Sequence, residues 1–197
     1  MCPHKLYTIG YSGFTPDEFI EILKKYSIGL VVDVRSAPYS SYFEQYNMDN
    51  IKNSLRKNRI YYVFLGDDLG ARPKDTSLYS NNIVDFEKIS NSHAFRNGCE
   101  RIRECLEKFS ICMMCAEKDP ANCHRSILIT NTFRKIYPET KILHIHSISK
   151  LESQKNIDWR IMSMYKLEQE HFFKNFDERK NEAYTLREKE IAYSDET

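Results

Sequence analysis

Glycine and proline are scarce in this chain, six of each among 197 residues, and tryptophan occurs once. With 41% hydrophobic and 13% aromatic residues beside that scarcity, global disorder is excluded and a substantial core is expected. No apolar run approaches the roughly 20 residues that a membrane-spanning helix needs, and no membrane partner is expected. The start, Met1-Cys2-Pro3-His4-Lys5, lacks the apolar centre of a secretory signal. Net charge is nearly absent, with 29 Lys+Arg against 28 Asp+Glu. That removes the simplest electrostatic basis for non-specific nucleic-acid binding and disfavours nucleic acid as a partner. A disulfide framework is also missing. The six cysteines (Cys2, Cys99, Cys105, Cys112, Cys115, Cys123) have no such spacing for a chain this long, and they read as reduced thiols of a cytosolic protein.

What is present is an alternation of two periods. Residues 6–11 read as a strand. The first helix is signalled by Thr15 as N-cap, Pro16 at N1 and Glu18 at N3, a capping box. Phe19, Ile22, Leu23 and Tyr26 then follow helical spacing. Residues 30–34 are apolar except for Asp33, as in a strand buried on both faces. A Tyr/Ser-rich loop at 37–46 precedes a short helix at 48–57 and a strand at 60–65. Residues 66–74 read as a polar loop, and the pattern up to residue 92 decides nothing. Phe95, Cys99, Ile102, Leu106 and Phe109 share one helical face over 94–109. Residues 111–115 form a strand, a helix is expected to start at Pro120, and 141–145 form a strand. The sum is an α/β chain in three layers: a mostly parallel sheet of about five strands with helices on both faces. Residues 1–150 make this domain. Residues 151–197 make a charged helical C-terminal extension, the region where a homodimer contact would form.

In a parallel sheet, sites collect beyond the carboxyl ends of the strands. Here five strand ends turn polar: Tyr11 and Ser12; Asp33, Arg35 and Ser36; Asp67, Asp68 and Arg72; Cys115, Glu117 and Lys118; His144 and His146. Strand ends meeting water also become polar without any site, but agreement among five favours one. The densest segment is Met114-Cys115-Ala116-Glu117-Lys118-Asp119-Pro120-Ala121-Asn122-Cys123-His124-Arg125. An arginine just inside a helix start is opposed by the helix dipole. A bound anion would relieve that, and so would an internal ion pair of Arg125 with Asp33 or Glu117. Cys123, at the helix start, and Cys115, at a strand end, are candidate nucleophiles with His124 or Glu117 as base. Burial as inert packing groups is the competing reading.

Cys112-x-x-Cys115 is not a metal pair, because strand positions i and i+3 face opposite ways about 10 Å apart at about 3.3 Å per residue. Cys115, Cys123 and His124 are geometrically closer to a ligand set, yet no metal is assigned, and nothing in the sequence requires a cofactor. His144-x-His146 would share a strand face; such histidines are more often hydrogen-bonded structural groups. Val32-Asp33-Val34-Arg35 is similar to a strand of rhodanese-type sulfurtransferases. The Cys-x4-Arg loop of those enzymes, and the Cys-x5-Arg loop of tyrosine phosphatases, are both absent.

Four separated motifs do coincide with one family. Thr8-Ile9-Gly10-Tyr11-Ser12, Val32-Asp33-Val34-Arg35-Ser36, Leu65-Gly66-x-x-Leu69-Gly70-x-Arg72, and Met114-Cys115-Ala116-Glu117 with Pro120-x-x-Cys123-His124-Arg125 resemble the family called domain of unknown function 488. The resemblance runs from about residue 6 to residue 146. It implies a compact α/β protein with no agreed activity, and it supports the fold and the site more than a reaction.

The resulting expectation is a cytosolic enzyme that binds a small anionic substrate, phosphate- or nucleotide-containing, at the carboxyl edge of the sheet. Glu117, Cys115, Cys123 and His124 would carry the chemistry. Ser12, Asp33, Arg35, Ser36, Arg72, Lys118 and Arg125 would bind the substrate. Two rivals stand beside it. One is a nucleic-acid-binding or -processing protein stacking bases on Tyr39, Tyr42, Phe43 and Tyr46. The other is a non-catalytic interaction protein whose strand-end region is closed and ion-paired.

Overall fold

The architecture follows from which residues alternate across the strands. A computed structural model describes residues 4–170 and 172–195; Cys2 lies outside the described residues. Six strands form one sheet in the order β3-β2-β6-β1-β7-β8. These are β1 (Lys5–Gly10), β2 (Leu30–Asp33), β3 (Tyr61–Phe64), β6 (Ile111–Cys115), β7 (Lys141–Ser147) and β8 (Lys150–Ser153). The first five run parallel, and β8 pairs antiparallel with β7 at the edge. The sheet thus has one strand more than the pattern suggested. It lies where the composition turns charged, and an edge strand need not be apolar on both faces.

Side chains divide cleanly between the two faces. Leu6, Ile111, Met113, Leu30 and Val32 enter one core with Phe95, Cys99, Ile102, Leu128 and Phe133. Tyr7, Ile9, Cys112, Met114 and Val31 enter the other with Phe19, Ile22, Leu23, Ile51 and Leu55. Cys112 and Cys115 therefore face opposite ways, as strand geometry requires. Helix α1 (Pro16–Lys25) and α2 (Met48–Lys57) cover the second face. The expected capping box at α1 is present in both directions, Glu18 N–H to Thr15 Oγ1 and Thr15 N–H to Glu18 Oε2.

Three segments differ from the sequence expectation. The 66–74 loop opens with a helical turn, α3 (Gly66–Leu69), whose Gly66 and Leu69 are buried. That turn packs on α5 (His93–Leu106) through Gly98, where a Cβ would lie 2.8 Å from the Leu69 side chain. The undecided stretch contains a hairpin, β4 (Tyr79–Ser80) with β5 (Ile83–Val84), followed by α4 (Phe86–Asn91), which Asp85 caps. The helix expected from Pro120 starts later. Pro120–Asn122 is a 3-10 turn, with the Asp119 carboxylate accepting the Ala121 N–H, and Cys123 is extended at φ −130°. The Cys123 carbonyl then accepts the Ser126 and Ile127 N–H groups, each at 3.0 Å. Arg125–Thr130 continues with π-helical geometry into α6 (Asn131–Ile136). Cys123 thus stands just before the helix that the sequence pattern places at Pro120. A proline opens a 3-10 turn as readily as an α-helix, since both leave its missing N–H unneeded.

The charged C-terminal stretch forms two helices, α7 (Gln154–Met164) and α8 (Phe176–Ile191). Ile157, Ile161, Met162, Ala183 and Tyr184 join the first core. After α8 the chain crosses toward the hairpin: the Val84 N–H donates to the Tyr193 carbonyl, and the Asp195 N–H to the Asn82 carbonyl. Among the described residues no helix is long and apolar enough to cross a membrane.

Candidate functional site

Neighbouring strands β1 and β6 send their following helices to opposite faces, α1 to one and the buried 125–136 run to the other. Such divergence opens a crevice at the carboxyl edge. Here it is a cavity of about 1030 Å³, walled by residues that include Arg35, Ser36, Arg72, Glu117, Cys115, Cys123 and His124.

At its floor lie two thiols and an imidazole. Cys115 Sγ is 3.7 Å and Cys123 Sγ 3.9 Å from Nδ1 of His124. The two sulfurs and that nitrogen all lie within 4.8 Å of one another. Nε2 of His124 is 3.0 Å from the Val34 carbonyl. A carbonyl can only accept, so Nε2 carries the proton and the Nδ1 lone pair faces both sulfurs. Burial alone would push the Cys123 thiol up, but the Cys115 S–H and the Arg125 guanidinium together hold it well below the ordinary thiol range. Cys115 is raised by its hydrogen bond to Cys123 and by burial. Of the two buried thiols, Cys123 is therefore the one whose ionised form its neighbours favour.

Arg125 sits behind this group and outside the cavity. It is fully buried. Nε donates to Thr8 Oγ1 at 3.4 Å, one terminal nitrogen donates to the Glu117 carbonyl, and the other to the Lys118 carbonyl at 3.1 Å. These bonds shape the 116–118 turn. No ion pair with Asp33 or Glu117 forms: the hydrogen-bond partners of Arg125 are the uncharged oxygens of Thr8, Glu117 and Lys118.

Arg35 is paired instead with Asp33, through Nε to Oδ1 at 2.9 Å and a terminal nitrogen to Oδ2 at 2.6 Å. Tyr62 donates to the same carboxylate at 2.8 Å. The remaining Arg35 nitrogen donates to the Tyr11 hydroxyl at 3.2 Å. The Asp33 pairing raises the Arg35 pKa despite its burial. Asp33 itself is fully buried and lies behind Arg35, off the cavity wall. Arg72 is exposed and also lines the cavity, with its guanidinium 4.3 Å from the centre of the Tyr193 ring. Its backbone N–H donates to Ser36 Oγ.

Seven of the expected residues thus converge: Cys115, Cys123, His124, Glu117, Arg35, Ser36 and Arg72. Ser12, Asp33, Lys118 and Arg125 do not line the cavity. Ser12 is exposed with its N–H on the Ala116 carbonyl, and the Lys118 side chain lies over Gly13. Of the expected stacking groups, Tyr39, Tyr42 and Phe43 line the cavity. Tyr46 is buried, its ring stacked 4.3 Å from that of Tyr11. His144 is a structural group, bonded to Thr8 and Gln154, and His146 pairs with Glu152. Residues 191–194, which close one side of the cavity, had no motif to announce them.

The family model described as "Domain of unknown function DUF488" matches residues 15–131, more than half of the chain. The chain belongs to that family. The matched span is narrower than residues 6–146. It takes in the second, third and fourth motifs and the cavity floor, and stops short of Thr8–Ser12 and of His144. No curated protein and no solved structure matches the chain. This DUF488 member must therefore be read from its own geometry.

Proposed function

We propose that this DUF488 protein is a cytosolic enzyme acting on a small anionic metabolite, phosphate- or nucleotide-containing, bound in the cavity at the carboxyl edge of the sheet. The observation that carries this reading is the convergence of Cys115, Cys123 and His124 with Arg35, Arg72 and Glu117 around one cavity. Arg72 is the principal anion-binding group, because its guanidinium is exposed and rests over the Tyr193 ring. Arg35, tied to Asp33, presents a fixed cationic edge to the same cavity. Tyr39, Tyr42 and Phe43 offer faces for a planar group attached to the anion. Glu117, exposed at the rim, is placed for proton transfer, and the sulfur–imidazole group at the floor is the reacting centre. A non-catalytic interaction protein is disfavoured by an open cavity where a closed, ion-paired edge was its mark. A nucleic-acid role draws support from the exposed Tyr39 and Tyr42 but not from the balanced charge.

Inorganic phosphate is the first probe. At a hundred times its dissociation constant a ligand adds about 2.7 kcal/mol to stability. A thermal-shift titration at constant ionic strength is expected to raise the midpoint of the native chain and to leave Arg72→Ala unmoved. An unchanged native midpoint, or the same rise in Arg72→Ala, overturns the assignment.

A further inference from the structure

We propose that Cys115, Cys123 and His124 bind one divalent transition-metal ion of the zinc class, with its fourth coordination position open to the cavity. The inference rests on the reading of this cavity as a reaction site and names the chemistry of its floor.

Spacing is the first argument. Zinc takes thiolate sulfur at about 2.3 Å and imidazole nitrogen at about 2.0–2.1 Å, so tetrahedral coordination needs S···N near 3.6 Å and S···S near 3.8 Å, to about 0.1 Å. The sulfurs stand 3.7 and 3.9 Å from Nδ1, and no pair of the three atoms exceeds 4.8 Å. Small side-chain rotations close the set.

Orientation is the second argument. The Val34 carbonyl holds the Nε2 proton of His124, so Nδ1 is the free donor, and it already points between the sulfurs. A hydrogen bond of this kind on the far ring nitrogen is what orients ligating histidines in metal sites. Cys115 ends a central strand. Cys123 is anchored by its carbonyl to two helical N–H groups. All three ligands thus stand on rigid main chain.

Charge is the third argument. Two thiolates neutralise a divalent ion, so binding it at this buried site leaves no net charge on the ion and its two sulfur ligands. Two sulfurs and an imidazole select zinc, or cobalt in its place, over magnesium or calcium, which prefer oxygen. Both thiols are buried against the first core. These two and the imidazole form part of the cavity wall, so a fourth ligand, water or an anionic oxygen, can reach the ion from the cavity.

Cobalt(II) is the probe. The full-length chain is stripped with a chelator, kept reduced with a phosphine, and titrated with cobalt(II) alone. The expected result is saturation at one ion per chain, with a thiolate-to-cobalt charge-transfer band in the near ultraviolet and visible bands of tetrahedral cobalt, both abolished by zinc. Cys115→Ser and His124→Ala, which remove direct ligands, are expected to weaken binding by more than the roughly hundred-fold that losing an outer-shell partner can cost. Cys112→Ser, on the other face of the same strand, leaves it unchanged. Absence of the charge-transfer band in the native chain overturns the proposal. So does an unaltered titration in variants whose circular dichroism shows them folded. Should Cys115→Ser fail to fold, the native spectrum and the half-buried His124 still decide. The phosphate titration repeated on stripped protein separates the two readings. A phosphate shift with silent cobalt removes the metal alone. Cobalt binding with no phosphate shift leaves the metal and removes the anionic substrate.

Discussion

Gly10 ends β1 where the chain from β6 turns back over it, and it is the tightest backbone contact at the site. A Cβ at Gly10 would stand 1.7 Å from the Glu117 carbonyl oxygen, the same oxygen that receives Arg125. Both partners are main chain, so no side chain can swing away. Gly10→Ala is expected to cost about 3 kcal/mol, at the upper end for overpacking, and to displace the 116–118 turn. Urea unfolding measures the first effect. Loss of cobalt or phosphate binding in whatever fraction stays folded measures the second. A change below about 0.5 kcal/mol, the scale of ordinary surface substitutions, would show that the turn moves freely.

At the level of elements, the β4–β5 hairpin holds the C-terminal segment against the cavity. Its turn residues Asn81 and Asn82 have φ of 54° and 61°. Two left-handed residues in a row make the turn whose twist suits a tight hairpin, and asparagine tolerates that conformation better than most side chains. The Asn82 carbonyl receives Asp195, and Ile83 bridges to Ser194. Asn82→Val is therefore expected to lower stability by about 1–2 kcal/mol, the strain of a β-branched residue in that region. Asn82→Gly should hold it level or raise it. The Tyr193–Arg72 contact depends on the same anchor, so Asn82→Val should also weaken phosphate binding several-fold. Equal stability of the two variants by thermal melting would mean that this turn bears no strain. The Asn-Asn pair was the available sequence signal for this hairpin. Strands of two residues have too little alternation to show a period beside it.

Across the whole molecule, a buried polar chain ties the C-terminal helices to the sheet. His144 bonds Thr8 at 2.8 Å and Gln154 at 2.9 Å, and Gln154 bonds Thr130 and Tyr184. Tyr184 donates to Asp158, which also pairs with Arg134. Burial, with Arg125 nearby, lowers the His144 pKa to about 3. The folded value lies below the unfolded value near 6.5, so this group's stabilisation is complete above pH 6.5 and declines as the pH falls toward 3. At pH 5 about 2 kcal/mol should be lost relative to pH 7.5. Urea midpoints at the two pH values check this against His144→Gln, which should be weaker at pH 7.5 but flatter with pH. Parallel slopes for the two proteins would place the titration elsewhere.

Several features of this chain were decided locally and could be read from the sequence alone. Apolar runs on β2 and β6 require burial on both faces. The Thr15–Glu18 box sets where α1 starts, and the stripe from Phe95 to Leu106 sets the inward face of α5. Polar residues after five strands mark the edge where a site can form. These effects act over one turn or one strand, so neighbouring residues suffice to reveal them. Only the tertiary structure decided which donor meets which acceptor. Arg125 is turned inward by carbonyls of a loop folded against β1, and Arg35 is tied to Asp33. The helix start moved from Pro120 to His124, bringing Cys123 beside Cys115. Residues 191–194 reached the cavity through a hairpin more than a hundred residues earlier in the chain. A hydrogen bond falls off within an ångström, so these outcomes depend on where distant backbone segments come to rest, and no local pattern encodes that position.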